Sequence, residues 1–269
     1  AIAFLTCTQT FLTSFQQAID KTISSFVQIA TYWSRAFAVL QLPTESSDIS
    51  KSPAQFDGSI DVSKLTFSYN AEGSSLPPVI NNISFSVKSH SSTLLFGENG
   101  CGKSTLLSLL SYMHDDFSGT IFFSNHDLIT LSPRLFRNYI SNVPQNLLFI
   151  QGSLRSNISS GLSVSVQQIE TLLSTFFLDE FIKSLPMKLG TVVTPLAPAI
   201  PVLIKKKIFL LSSAIKKPNY LFVDDAFTGM DEAEIRSILL YFQKCGCTVL
   251  ATSSDLDVKS CFDSVVDIH

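Results

Sequence analysis

Apolar residues are spread along this chain in three different rhythms, and each predicts a different kind of element. From Ala1 to Ile19 the stretch AIAFLTCTQTFLTSFQQAI carries no charge, although threonine, serine and glutamine interrupt it, and helical spacing continues through FVQIATYWSRAFAVL. Two readings fit: a membrane helix entered part-way along and running on into an amphipathic cytosolic extension, or a long soluble amphipathic helix. No basic segment precedes the stretch, so a signal peptide fits poorly. LPTESSDISKSPAQFDG, Leu42 to Gly58, is polar, and its prolines break the helical pattern. It reads as a linker over residues 43–55, with a globular domain from Phe56 onward.

The second rhythm has period two. SIDVSKLTFSY and VINNISFSV alternate apolar and polar residues, as half-exposed antiparallel strands do, with NAEGSSLPP as the loop between them. The third consists of short unbroken apolar runs. NYLFVDD gives a strand over Asn219 to Val223 with Asp224 at its carboxyl end, and TVLATSSDLD gives another over Thr248 to Thr252. In open parallel sheets, ligands collect at such carboxyl ends.

One apolar run carries chemistry. TLLFGENGCGKSTLLSLLSYM, Thr93 to Met113, is a short strand, a glycine-rich loop and an apolar-faced helix, in the order that a phosphate cradle requires. Gly97, Gly102, Lys103 and Ser104 meet the spacing G-x-x-x-x-G-K-[ST]. Gly97, Gly100 and Gly102 let the backbone curl so that successive amides and the helix N-terminus point at anionic oxygens, and Asn99, Cys101 and Thr105 complete the stretch. Lys103 would neutralise β and γ phosphates, and the Ser104 hydroxyl would take one magnesium position. Asp224, on a neighbouring strand, is the acid that would orient the magnesium water shell. Lys103 and Asp224 together predict a nucleotide-binding α/β domain.

Composition narrows the partners. Charged residues are 15% of the chain against 45% hydrophobic, and a formal net charge of -3 gives no basic excess for gripping nucleic acid. Five cysteines form no CxxC pair, which suits neither a zinc site nor a disulfide framework and reads as reduced thiols in the cytosol. His90, His114 and His126 show no metal spacing and His269 is the terminal residue, Lys205 to Lys207 read as a solvated helix face, and the phenylalanines read as packing.

From about Phe56 onward the sequence resembles the ATP-binding cassette of ABC transporters. Tyr69, ending LTFSY, is similar to the aromatic residue that stacks on adenine. SNVPQNLLFIQGSLRSNI resembles the Q-loop region, with Gln145 reaching the magnesium and sensing the γ phosphate, and TGMD resembles the D-loop, ending in Asp231. The segment FLTSFQQAIDKTISSFVQIATYWSRAFAVLQLPTE resembles the part of an exporter that carries its last transmembrane helix down to the cassette, with Arg35 and Leu40 in fitting places. The flavour is that of bacterial exporters that fuse membrane and ATPase parts and secrete bacteriocin-like peptides or proteins.

Three departures from the family pattern bear on function. Where the family has LSGGQ, this chain has Ile200, Pro201, Val202, Leu203 and Ile204, with proline for the serine and branched residues for both glycines, which obstructs close approach to phosphate. Asp225 stands where the family has the glutamate that polarises the attacking water; it is one methylene shorter, and a misplacement of about 1 Å costs on the order of a hundredfold in rate. Ser253 and Ser254 stand where a switch histidine is expected, with Ser254 as its counterpart.

The resemblance therefore implies an α/β fold: a P-loop cassette with a parallel core sheet, an antiparallel β subdomain and a helical subdomain over about residues 146–215, preceded by a long helix. Residues 1–42 would be the end of the last transmembrane helix with its cytosolic extension. ATP and Mg2+ are the implied cofactors, bound with weak or absent hydrolysis. The implied partners are the protein's own or a cognate transmembrane domain and a second cassette, as a homodimer or beside a more complete half-transporter. The implied place is the cytoplasmic face of a bacterial inner membrane. The alternative is a non-catalytic nucleotide-binding module that regulates or orders a transporter complex.

Overall fold

The computed structural model describes residues 2–41, 56–69, 77–195 and 200–268. The predicted linker over 43–55 and most of the NAEGSSLPP loop lie outside the described residues. The chain divides into two compact units, Ala1–Ser46 and Ser47–His269.

The first unit is one helix, α1 (Ile2–Leu40), and 39 residues at about 1.5 Å each make it roughly 58 Å long. Its large side chains, among them Phe11, Phe15, Phe26, Trp33 and Leu40, are exposed. Many of its hydroxyls turn inward to their own backbone: Thr10, Ser14, Thr22, Ser25 and Thr31 each donate to the carbonyl four residues back at 2.7–2.8 Å. No helix among the described residues is long and apolar enough to cross a membrane.

In chain order the second unit comprises β1 (Ile60–Phe67), β2 (Ile80–Val87), β3 (Ser92–Phe96), α2 (Lys103–Leu110), β4 (Ser118–Phe123), β5 (His126–Asp127), α3 (Pro133–Phe136), β6 (Ile140–Val143) and β7 (Gly152–Ser153). There follow α4 (Leu154–Ser159), α5 (Val166–Leu173), α6 (Asp179–Ser184), β8 (Val192–Val193), α7 (Val202–Lys216), β9 (Tyr220–Asp224), α8 (Glu232–Lys244), β10 (Thr248–Ser253) and β11 (Ser264–Asp267).

The period-two segments form an antiparallel sheet of order β2-β1-β4-β5. The unbroken apolar runs form β3, β9 and β10, the centre of a parallel sheet of order β11-β3-β10-β9-β6. Those runs are unbroken because both faces of the sheet are covered. Leu221 and Val223 of β9 enter one apolar cluster with α7 and α8, whereas Tyr220 and Phe222 enter another with α2 and the antiparallel sheet. Between β6 and β9 lies the helical part, in which α7 packs on α4 and β6. Because the parallel strands share one direction, the carboxyl ends of β3, β9 and β10 lie side by side, with Ser253 opposite Phe96 and Thr252 opposite Asp224.

Candidate functional site

The loop after β3 is held at both ends. Upstream, Leu94 and Leu95 are fully buried; downstream, Leu106, Leu107, Leu109 and Leu110 anchor α2 in the core. Gly102 caps α2 at φ 92, in the left-handed region, and a Cβ there would fall 2.8 Å from Ile80 Cδ1. Only glycine allows this turn without strain. The first-turn amides of α2 have no intrahelical partner and open toward the loop. Lys103 folds over that loop, its Nζ donating to the carbonyls of Gly97 at 2.6 Å and Glu98 at 2.7 Å.

A cavity of about 290 Å³ opens where the loop faces the neighbouring strand ends. One wall is Asn99, Gly100, Gly102, Lys103, Ser104 and Thr105; the other is Gln145, Asp224, Asp225, Thr252 and Ser254, with Val79 at the side. Tyr69, Gly97 and Cys101 are the sequence-predicted residues that do not line it. Tyr69 stands next to it, its hydroxyl 3.2 Å from Thr105 Oγ1, its ring edge-on to Phe67 and His114 and 58% exposed, so a flat face remains open. Gly97 works from behind: a Cβ would meet the Ile268 carbonyl at 2.5 Å and Cys101 Sγ at 2.7 Å, so the loop rests directly on the end of β11. The Cys101 thiol lies 4.0 Å from Lys103 Nζ.

The two aspartates occupy different surroundings. Thr252 donates its hydroxyl to Asp224 Oδ1 at 2.7 Å and accepts the Asp225 amide at 3.1 Å. Asp225 takes φ 51 and accepts the Thr228 hydroxyl at 2.6 Å, while the hydroxyls of Thr228 and Ser253 lie 3.2 Å apart. Ser254 is exposed and lines the cavity. Sequence reasoning missed Val79 and Thr252. The signal for Thr252 is cross-strand register, since it sits beside Asp224 on the adjacent parallel strand.

The Ile200–Ile204 stretch places Pro201 as the N-cap of α7, with no side-chain cap and with Val202 65% exposed. Leu203 reaches to 3.4 Å from where a Gly229 Cβ would be, filling the notch beside the D-loop segment. The solvated lysine face expected for Lys205 to Lys207 is corrected here. Lys207 is buried and pairs with Glu234 at 2.6 Å, and Lys206 donates to the Thr228 carbonyl at 3.0 Å. Their stems run along the helix to partners on α8 and in the loop after β9, Glu234 and the Thr228 carbonyl, which satisfy the two ammonium groups. Burial pushes the Lys206 ammonium below its ordinary value, while the Asp225 charge pulls it back up.

The residues fit a magnesium–nucleotide ligand. Open amides and Lys103 complement phosphate, and Ser104 from one wall with Gln145 and Asp224 from the other bring to one cavity the oxygen donors that magnesium takes. Among the described residues no group of three or more His, Cys, Asp and Glu side chains gathers to hold a metal. Magnesium in phosphate sites is held by few protein ligands, so the donor set suits it.

The sequence profile described as ABC transporter matches residues 80–228, more than half of the chain. The ABC-type transporter kk1G of Curvularia clavata is 30% identical over 209 residues, covering 77% of this chain and 15% of that protein. The mitochondrial ATP-binding cassette sub-family B member 10 of Mus musculus is 32% identical over 180 residues, covering 65% of this chain and 25% of that protein. In fold, the chain is similar to a bacterial Atm1-family ABC exporter solved with ATP bound, with a TM-score of 0.78 and 21% identity over 90% of this chain and 42% of the other. The chain thus spans a quarter or less of these two curated relatives.

Proposed function

This chain belongs to the ABC transporter family, and from that premise we propose that it is the ATP-binding part of an export-type transporter, holding Mg-ATP but hydrolysing it slowly or not at all. One observation carries this reading: a complete phosphate cradle and the magnesium donors share one cavity, whereas the hydrolytic positions around it hold Asp225 and Ser254.

In this reading the amides of Gly100 to Thr105 and the Lys103 ammonium bind the phosphates, and Tyr69 offers its open face to the base. Ser104, Gln145 and Asp224 would hold the metal, which when bound would neutralise phosphate charge. Thr252 orients the Asp224 carboxylate by donating to one of its oxygens at 2.7 Å. Asp225 already accepts a short bond from Thr228, and Ser254 brings no positive charge. A water in the site would therefore find weak polarisation.

We further propose that residues 1–42 are the C-terminal end of a last transmembrane helix with its cytosolic extension, joined to the cassette by the 43–55 linker. The inward-bonded hydroxyls of α1 support this, since they lower the cost of leaving water. The bacterial inner membrane is the setting that the export-type resemblance favours, and the mouse mitochondrial relative marks the alternative. The partners would be the transmembrane domain and a second cassette whose own helix tip serves this chain's ATP. The Pro201–Leu203 tip is a poor phosphate clamp, so a heterodimer with a more complete half-transporter fits better than a homodimer.

Calorimetry with Mg-ATP, paired with steady-state turnover, tests the reading. Binding with turnover at least about a hundredfold below an intact acid site is expected. No binding at millimolar ATP overturns it, as does turnover at ordinary enzyme rates of about 10 per second. The second reading, a non-catalytic regulatory module, is favoured by the Thr228 bond to Asp225 and would show binding with no turnover even beside a complete partner.

A further inference from the structure

A chain of contacts behind the cavity ties the Asp225 position to α7. Lys206 Nζ donates to the Thr228 carbonyl at 3.0 Å, and the hydroxyl of the same threonine donates to Asp225 Oδ1 at 2.6 Å. The Asp225 amide is held at the same time by Thr252 Oγ1 at 3.1 Å. Both the carboxylate and the backbone are thus held, in the left-handed conformation at φ 51, a region that aspartate enters more readily than most side chains with a Cβ. Lys206 does not line the cavity, and its link to Asp225 runs through the two polar groups of Thr228.

We propose that Lys206 is the counter-charge of Asp225 and, through Thr228, its positioning residue, so that the acid position serves as a fixed, compensated anion and not as the group that polarises water. The proposal rests on the nucleotide-site reading above and deepens it. A nucleotide polyphosphate entering the cavity meets two adjacent carboxylates, and each repels it unless compensated. A bound magnesium would compensate Asp224. Lys206 answers Asp225 from behind, which lets the site keep its grip on the polyanion while the second carboxylate is taken out of use.

A double-mutant cycle of Lys206→Gln and Asp225→Asn in the full chain tests this in two measurements. In thermal unfolding without nucleotide, each single variant should lower Tm by about 2–4 °C, and the double variant by little more than either. In calorimetry with ATP and EDTA, Lys206→Gln should weaken binding about threefold to tenfold, because the carboxylate is then uncompensated. Adding Asp225→Asn should bring the affinity back to within about twofold of wild type, and Lys206→Arg should keep it. A merely structural lysine would not be rescued by removing the acid. Additive effects in both measurements overturn the proposal. Should Lys206→Gln not fold, Thr228→Val in the same cycle carries the test, and an unchanged Asp225→Asn effect in that background overturns it. If the wild-type chain binds no nucleotide, the nucleotide-site reading fails, while the thermal cycle still decides whether Lys206 and Asp225 are coupled.

Discussion

Lys103 holds two carbonyls of its own loop, and an arriving phosphate would compete for the same ammonium. Charge-assisted bonds of this kind contribute about 1.5–3 kcal/mol each. Lys103→Met should therefore weaken Mg-ATP binding by at least about tenfold in calorimetry while lowering Tm by only a few degrees, since the carbonyls that Nζ bonds, Gly97 and Glu98, belong to its own loop. At this scale the sequence was informative because the motif is local: spacing alone places Gly102, Lys103 and Ser104. It was silent on Thr252 and Lys206, whose roles depend on strand register and on which way a helix turns its stems. Three consecutive lysines look alike in a sequence, yet Lys207 is buried against Glu234 and Lys206 is tied to Thr228.

Helix α7 carries two expectations of opposite sign. Its Lys207–Glu234 pair is nearly out of water, with side chains 9% and 18% exposed. Glu234→Ala would leave a buried ammonium unpaired at a cost of about 3 kcal/mol, which a thermal melt should show as a fall of roughly 6–12 °C. The helix tip, in contrast, can be rebuilt. Pro201→Ser with Val202→Gly and Leu203→Gly would uncover the first-turn amides of α7, and ATP-dependent dimers, absent in the parent, should then be seen by size-exclusion chromatography. Each glycine costs up to about 1 kcal/mol of helix stability, so a modest loss of Tm should accompany the gain. Period made part of this legible: alternation gave β1 and β2 and unbroken runs gave β3, β9 and β10, while β4, β5, β6 and β11 carry neither signal clearly. The strand through Asp224 extends one residue past the predicted Asn219 to Val223, because the ladder with β10 continues to Thr252.

For the molecule as a whole, ligand linkage gives the simplest expectation. A ligand bound only by the folded state at a hundred times its Kd adds about 2.7 kcal/mol, so saturating Mg-ATP should raise Tm by roughly 5–10 °C. EDTA should remove most of that rise, because Ser104, Gln145 and Asp224 then hold no metal to bridge them to phosphate. The fold was readable in outline because both kinds of sheet carry their own hydrophobic signature. The site's third dimension was not, since it is made where strands distant in sequence end side by side. Gly97 shows this most plainly, with the Ile268 carbonyl lying where its Cβ would be. The phosphate loop has no floor until β11 has docked beside β3, so during synthesis the cassette would first become able to take up ATP only after residue 268 has left the ribosome. Nucleotide capture would then act as a sign that β11 has docked beside β3.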